Sequence, residues 1–231
     1  MPNNVKNTTI TSLFDLLAPH SCRGCGHTGN SLCNRCKKYI LDTHANYCPN
    51  CKVKNPTGNC KNCQNLPPIF IVDQRDSIIG ELIYDFKFNS NRSLAYPLAE
   101  ILDSILPEIK GKVAIVPLPT NTKHIRTRGL DHTLLIAKKL ARIRGKNYSI
   151  EKILIRKSNT VQVGSNEEER NKKASKAYET AKNVHINQNT TYLLLDDIWT
   201  TGASMKSALK KLRETGAQKI IIAILAVNRL N

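Results

Sequence analysis

A chain of 231 residues with 40% hydrophobic content has room for one core domain plus a small accessory module, and it excludes fibrous, collagen-like and wholly disordered classes. Lys and Arg number 35 against 18 Asp and Glu, a net charge of +17, which points to a polyanionic partner: nucleic acid, an anionic lipid surface or a phosphate-rich ligand. The longest apolar run, Ile220 to Val227, is too short to span a bilayer, and the first residues lack a secretory signal pattern, so a cytoplasmic location is expected.

All eight cysteines lie between Cys22 and Cys63, in four pairs of one spacing: Cys22/Cys25, Cys33/Cys36, Cys48/Cys51 and Cys60/Cys63. A C-x2-C turn aims two thiolates at one ion, and two such knuckles complete a tetrahedral site. Four knuckles therefore predict two zinc ions. Disulfides suit a secreted chain, and a redox motif would be a single pair. Sequential pairing of the knuckles closes the shortest loops, and crossed pairing also occurs in zinc modules, so the pairing stays open. His27 and His44 read as spare surface histidines, because eight sulfurs already fill two sites. Leu32, Tyr39, Ile40, Leu41, Tyr47 and Val53 are too few for an independent core, so metal would supply the folding energy. The predicted division is a Cys-rich module over 1–66 and a second domain over 67–231, joined at Leu66-Pro67-Pro68.

After that linker, short β-like runs alternate with helical stretches. Ile69–Val72 reads as a strand. Asp76 caps a helix with Ile78, Ile79, Leu82, Ile83 and Phe86 at helical spacing, and a second helix carries Leu94, Leu98, Ile101, Leu102 and Ile105. Val113–Val116 is a strand ended by Pro117-Leu118-Pro119. Asp131 caps a helix through Leu134, Ala137, Leu140 and Ala141 that Gly145 stops. Ile153–Ile155 reads as a strand, Asn166 to Tyr178 as helical, and Tyr192–Leu195 as a strand. Met205, Ala208, Leu209 and Leu212 share the face of a helix ended by Gly216. Ile220–Val227 is apolar on both alternating faces, as a buried central strand must be. This alternation predicts an α/β fold with a parallel sheet flanked by helices.

The sharpest motif runs from Tyr192 to Ser204: a buried strand, then Asp196 and Asp197, then a hydroxyl-rich turn that opens a helix. A helix N-terminus offers free N–H groups and the positive end of its dipole to a phosphate. Gly202 lets backbone approach an anion closely. Thr200, Thr201 and Ser204 add hydroxyls, with Ala203 between them. Carboxylates at the carboxyl end of a strand sit where open α/β sheets bind ligands. Asp196 and Asp197 there can accept hydrogen bonds from vicinal sugar hydroxyls, directly or through a cation. Together these parts describe a sugar with a phosphate at one end.

This stretch resembles the phosphoribosyl diphosphate (PRPP) motif of type I phosphoribosyltransferases. Val116-Pro117-Leu118-Pro119, Arg126-Thr127-Arg128-Gly129, Gln162, Arg170, Tyr178 and the Lys87 of Phe86-Lys87-Phe88 narrow the resemblance to the ComF competence family, over nearly the whole span from Cys22 to Arg229. Asp131-His132, Ser165, Lys173, Ala203 and Ser204 depart from the common pattern. The resemblance implies a type I phosphoribosyltransferase-like domain behind a double zinc ribbon. It implies a role in natural transformation and DNA uptake, with incoming single-stranded DNA, a ComF-type helicase and other DNA-processing competence proteins as partners. It also implies PRPP binding with magnesium, through Asp196, Asp197, Thr200 to Ser204, Arg126 and Arg128.

The charge supports the nucleic-acid part independently. From Lys123 to Lys157 eleven Lys and Arg face two acids, Asp131 and Glu151. Lys123, Arg126 and Arg128 on a loop, with Lys138, Lys139 and Arg142 on one side of a helix, form the expected phosphate-contacting surface. Tyr39, Tyr47 and Trp199 are the candidate base-stacking residues. Two functions follow: a DNA-binding protein with a PRPP site, or a transferase moving ribose 5-phosphate from PRPP to an acceptor, with Asp196 and Asp197 catalytic. A transferase needs a hood over its acceptor, which must come from residues 67–110 or the Cys-rich module, where no residue reads as a base-binding group.

Overall fold

The computed structural model describes residues 21–89, 91–156 and 177–228, without the side chains of 123, 124 and 128. A nine-residue helix, α1 (Asn34–Asp42), lies in the Cys-rich segment. The α/β part then runs β1 (Ile69–Gln74), α2 (Ile78–Phe88), α3 (Ala95–Ile105), β2 (Val113–Pro117), α4 (Thr122–Arg128), α5 (His132–Arg144), β3 (Tyr148–Ile150), β4 (Leu154–Arg156), β5 (Tyr178–Thr180), β6 (Thr191–Trp199), α6 (Ala203–Glu214) and β7 (Ile220–Val227). Five strands form a parallel sheet in the order β1-β7-β6-β2-β3, and β4 pairs antiparallel with β5.

The central strands are buried on both faces because β6 and β7 carry apolar side chains at successive positions. Leu193 and Leu195 pack on the face covered by α2, α3 and α5, whereas Tyr192 and Leu194 pack on the face covered by α6 and the β4–β5 pair. Full burial of one such side chain contributes about 1.5–3 kcal/mol. Helices α2 and α5 begin where polar side chains satisfy free N–H groups. Asp131 accepts from Leu134 N at 3.1 Å, as expected. The cap of α2 is Ser77, which accepts from Ile79 N at 3.2 Å, so the start falls one residue beyond Asp76.

Two strand assignments change. The parallel edge strand is Tyr148–Ile150, whose half-exposed side chains hide it from apolar patterning. The run around Ile153–Ile155 instead forms Leu154–Arg156 in the separate hairpin-like pair. Arg126 and Arg128 lie on α4 rather than on a loop. Tyr178, expected to end a helix, is in β5, and Gln162, Ser165, Arg170, Lys173 and Arg229 lie outside the described residues.

The Cys-rich segment does not stand apart from the sheet. Leu32, Cys36 and Ile40 belong to the same apolar cluster as Phe70, Val72, Leu98 and Leu102. Lys37 Nζ reaches Glu100 on α3 at 3.1 Å. Buried Asn46 acts as an edge partner for β1: its amide donates to Ile69 O at 2.9 Å and its carbonyl accepts from Ile71 N at 2.9 Å. His44, expected to be spare, bonds through Nδ1 to Val72 O at 2.8 Å. Thus the outer edge of β1 is covered rather than left open.

Candidate functional site

Two four-cysteine clusters form, Cys22/Cys25/Cys33/Cys36 and Cys48/Cys51/Cys60/Cys63, each with its sulfurs within 4.8 Å of one another. The sequential pairing is therefore the one present. A tetrahedral zinc site with ~2.3 Å Zn–S bonds has S···S edges of about 3.8 Å. Cys25 and Cys33 sulfurs are 3.7 Å apart and those of Cys51 and Cys60 3.3 Å, so both clusters could hold a zinc ion.

The first knuckle of each cluster repeats one local geometry. Cys22 N donates to His27 O at 2.8 Å, and Gly26 N to Cys22 O at 2.7 Å. Cys48 N donates to Val53 O at 2.9 Å, and Lys52 N to Cys48 O at 2.8 Å. The residue after the second cysteine is left-handed in both, Gly26 at φ 72° and Lys52 at φ 63°. Space is tight around the first cluster: a Cβ on Gly24 would come within 2.8 Å of Cys36 Sγ.

The second assembly lies at the carboxyl ends of β2 and β6. Asp196 and Asp197 follow the buried run Tyr192–Leu195 of β6, and Thr200 and Ser204 bracket the turn into α6. These four line a cavity of about 410 Å³ with Thr120, Asn121, His132, Tyr178 and Arg156. Gly202 caps α6 at φ 74°, and a Cβ there would sit 2.4 Å from the Trp199 ring. Trp199 is therefore packing beneath the turn, 3% exposed, and not a stacking platform. Thr201 and Ala203 complete the turn, with Thr201 Oγ1 accepting from Ala203 N at 3.4 Å.

The two acids have different surroundings because successive strand residues face opposite sides. Asp197 is salt-bridged to Lys87 on α2, with Nζ 2.6 Å from Oδ2. Asp196 accepts from Asp197 N at 2.9 Å. Burial, reinforced by the neighbouring Asp197 charge, pushes the Asp196 carboxyl up to about 8. Tyr178 is 2% exposed, and burial with the Asp196 charge pushes its hydroxyl up to about 12. Arg156 Nη1 donates to that hydroxyl at 3.3 Å, which holds a guanidinium on the Asp196 side. The cavity thus offers paired carboxyls, hydroxyls, a helix N-terminus and fixed cations, the groups that a phosphorylated sugar requires.

Arg126 is exposed on α4 and does not line this cavity; the side chains of Lys123 and Arg128 lie outside the described set. Lys138 and Arg142 are exposed on α5, with Lys139 half-buried. Arg156, Thr120 and His132 escaped sequence reasoning. Their only signal was position just beyond a strand or cap, and the β4–β5 pairing that delivers Arg156 is long-range. Tyr39 is 60% exposed, on the far side of the Cys-rich segment's buried face.

Fold and site define a phosphoribosyltransferase-type α/β domain with a double four-cysteine segment packed on it. Residues 132–230 match the phosphoribosyl transferase domain family. The chain is also similar to competence protein F of Haemophilus influenzae, 26% identical over 227 residues, covering 91% of this chain and 96% of that protein. Both findings agree with the resemblance to the ComF competence family that the sequence motifs carry.

Proposed function

We propose that this chain is a competence protein that binds PRPP in the cavity around Asp196 and Asp197 and takes single-stranded DNA on its basic surface. The observation that carries the PRPP reading is the convergence of both acids, Thr200, Ser204 and the α6 N-terminus on one cavity of about 410 Å³. The ribose hydroxyls face the two carboxyls, and the 5′-phosphate lies on the turn from Thr200 to Ser204. Magnesium, when bound with PRPP, supplies charge neutralisation on the pyrophosphate. Arg156 and Arg75, both on the cavity wall, are placed to share that role. The likeness to competence protein F supports the competence role. In this reading the chain divides into a zinc module over 1–66 and a phosphoribosyltransferase-like domain over 67–231, works in the cytoplasm, and meets a ComF-type helicase. Among the described residues no helix is long and apolar enough to cross a membrane.

The transferase reading retains one observation in its favour. A second cavity of about 540 Å³ shares Arg75, Lys87 and Ile198 with the first, so an acceptor has room beside the sugar. Thermal shift decides the PRPP claim. PRPP with magnesium raises the melting temperature of wild type by mass action, and Asp196→Asn with Asp197→Asn removes the shift while the protein stays folded. An unchanged shift in the double variant moves the site elsewhere. Pyrophosphate release from PRPP with a panel of bases separates transferase from binder.

A further inference from the structure

Helix α2 carries two aromatic side chains on the wrong side for a core helix. Ile79, Leu82, Ile83 and Phe86 are buried, yet Tyr84 and Phe88 are 59% and 55% exposed. They stand one turn apart, with ring centroids 4.9 Å apart and planes inclined by 37°. Two large rings held together in solvent form an apolar patch that core packing does not account for. The patch has a defined setting. Both rings line the cavity of about 540 Å³ whose wall also holds Arg23, Arg75 and Lys87, and which adjoins the Asp196–Asp197 cavity. Arg23 comes from the first cysteine knuckle and is bridged to Asp85 of α2. Asp85 also accepts from Asn89 at 2.7 Å, so its charge is satisfied within the protein. Arg23, Arg75 and Lys87 share this wall with Glu81 and Asp85, with Arg23 paired to Asp85 and Lys87 to Asp197.

We propose that Tyr84 and Phe88 are a stacking platform for an unpaired base of a single nucleic-acid strand, with the strand's phosphates beside Arg23 and Arg75. The chemistry is that of sequence-tolerant single-strand binding: aromatic faces take bases, because every base has a π-face, and neighbouring cations track the backbone. Continuity with the sugar-phosphate cavity favours a nucleotide over an apolar peptide, since the path out of the platform leads to phosphate-binding groups. The cysteine-rich segment contributes through Arg23, which seats one wall of the platform. This inference rests on the reading of the chain as a single-strand binder and names where the bases go.

The test uses the full-length zinc-loaded protein and a thymine oligonucleotide carrying one 2-aminopurine, whose fluorescence reports stacking. Wild type binds the strand and alters the emission. Tyr84→Ala with Phe88→Ala abolishes that change and weakens binding by about 5- to 150-fold per stacked base. The salt slope of binding stays the same, because no phosphate contact is lost. Phe88→Tyr keeps both signals, and an unchanged melting temperature shows that the variants are folded. If wild type binds the strand while the double variant keeps its affinity and its emission change, the platform is elsewhere and the single-strand reading survives. If free adenine displaces the probe as well as a whole oligonucleotide does, the site takes a free base and the proposal is overturned. If wild type binds no strand at all, the single-strand reading falls and this proposal falls with it.

Discussion

Lys87 Nζ lies 2.6 Å from Asp197 Oδ2, joining the last turn of α2 to the ligand end of β6. Both side chains are largely withdrawn from water, at 15% and 12% exposure, so neither charge is well solvated alone. The pair holds an acid of the candidate site in place by a residue more than a hundred positions earlier.

Removing one partner should therefore cost more than a surface salt bridge does. Lys87→Ala is expected to lower the unfolding free energy by about 2–4 kcal/mol, because it strands a carboxylate in a poorly hydrated site. Lys87→Met combined with Asp197→Asn should recover at least half of that loss. Urea denaturation of the three proteins measures it, and equal stability of the single and double variants would mean that the charge pair is not the source.

Asp196 gives a pH dependence with a definite sign. Its folded pKa, pushed up to about 8 by burial and the Asp197 charge, exceeds the ordinary unfolded value near ~3.9. Between those values the unfolded chain has released the proton while the folded chain retains it, so this group lowers stability as pH rises from about 4 to about 8. Asp196→Asn keeps an acceptor for Asp197 N but carries no proton to lose. The melting temperature of the Asn variant relative to wild type should climb between pH 5 and pH 8 and then level off. A difference that is flat with pH would show that Asp196 ionises normally in the folded protein.

These contacts mark where the sequence stops being readable. β7 was legible because Ile220 to Val227 is apolar on both faces, and the cysteine clusters because their spacing is local. The acidic pair and its turn are contiguous, so the candidate site could be located from residues 192–204 alone. The Lys87–Asp197 contact and the Arg156 that β4–β5 pairing delivers depend on tertiary geometry that no local pattern encodes. Tyr148–Ile150 was missed because an exposed edge strand lacks an apolar stripe. Tyr84 and Phe88 did leave a signal: large apolar residues four apart, off the stripe formed by Ile79, Leu82, Ile83 and Phe86. Which face of α2 they occupy is set by how the helix packs on the sheet, which the local pattern does not state.

The repeated knuckle geometry makes a prediction about Lys52. It occupies the left-handed position that Gly26 fills in the first cluster, at φ 63°. A side chain there costs roughly 1–2 kcal/mol, partly offset by the greater unfolded-state freedom of glycine. Lys52→Gly should stabilise the protein by about 0.5–1 kcal/mol, and Gly26→Ala should destabilise it by a similar amount. Thermal melts in the zinc-loaded state check both, and a destabilised Lys52→Gly would mean that the lysine side chain makes a compensating contact.

Metal removal should be felt beyond the cysteines. Leu32, Cys36 and Ile40 share a cluster with Leu98 and Leu102, and Asn46 bonds the edge of β1. When the clusters lose their ions, that packing loses the constraint that holds it. Elemental analysis should find two zinc ions per chain. A strong chelator should lower the main unfolding transition of the whole protein, seen by far-UV circular dichroism, rather than melt a separate small unit. An unchanged main transition after full metal removal would show that the sheet domain stands without the cysteine segment.

The basic surface on α5 can be tested by separating its structural cations from its solvated ones. Arg144 is not available to a ligand in the way its neighbours are. It bridges Asp103, and its Nη2 donates to Asp103 O at 2.8 Å and Leu106 O at 3.1 Å, tying down the end of α3. Lys138 and Arg142 are exposed, and Lys139 is half-buried beside them. Each phosphate neutralised on a single strand contributes about −0.7 to the slope of log K against log salt. Replacing Lys138, Lys139 and Arg142 together by Ala should flatten that slope by up to about two units, if all three meet phosphate. Affinity should fall by a similar factor for every sequence, since such contacts position a strand without reading its bases. Arg144→Ala should do the reverse: it should cost about 2 kcal/mol of stability through the lost carbonyl and carboxylate bonds, with little change of slope. A triple variant that binds with the wild-type slope would remove α5 from the nucleic-acid surface and leave the charge near the Tyr84–Phe88 platform to carry the salt dependence.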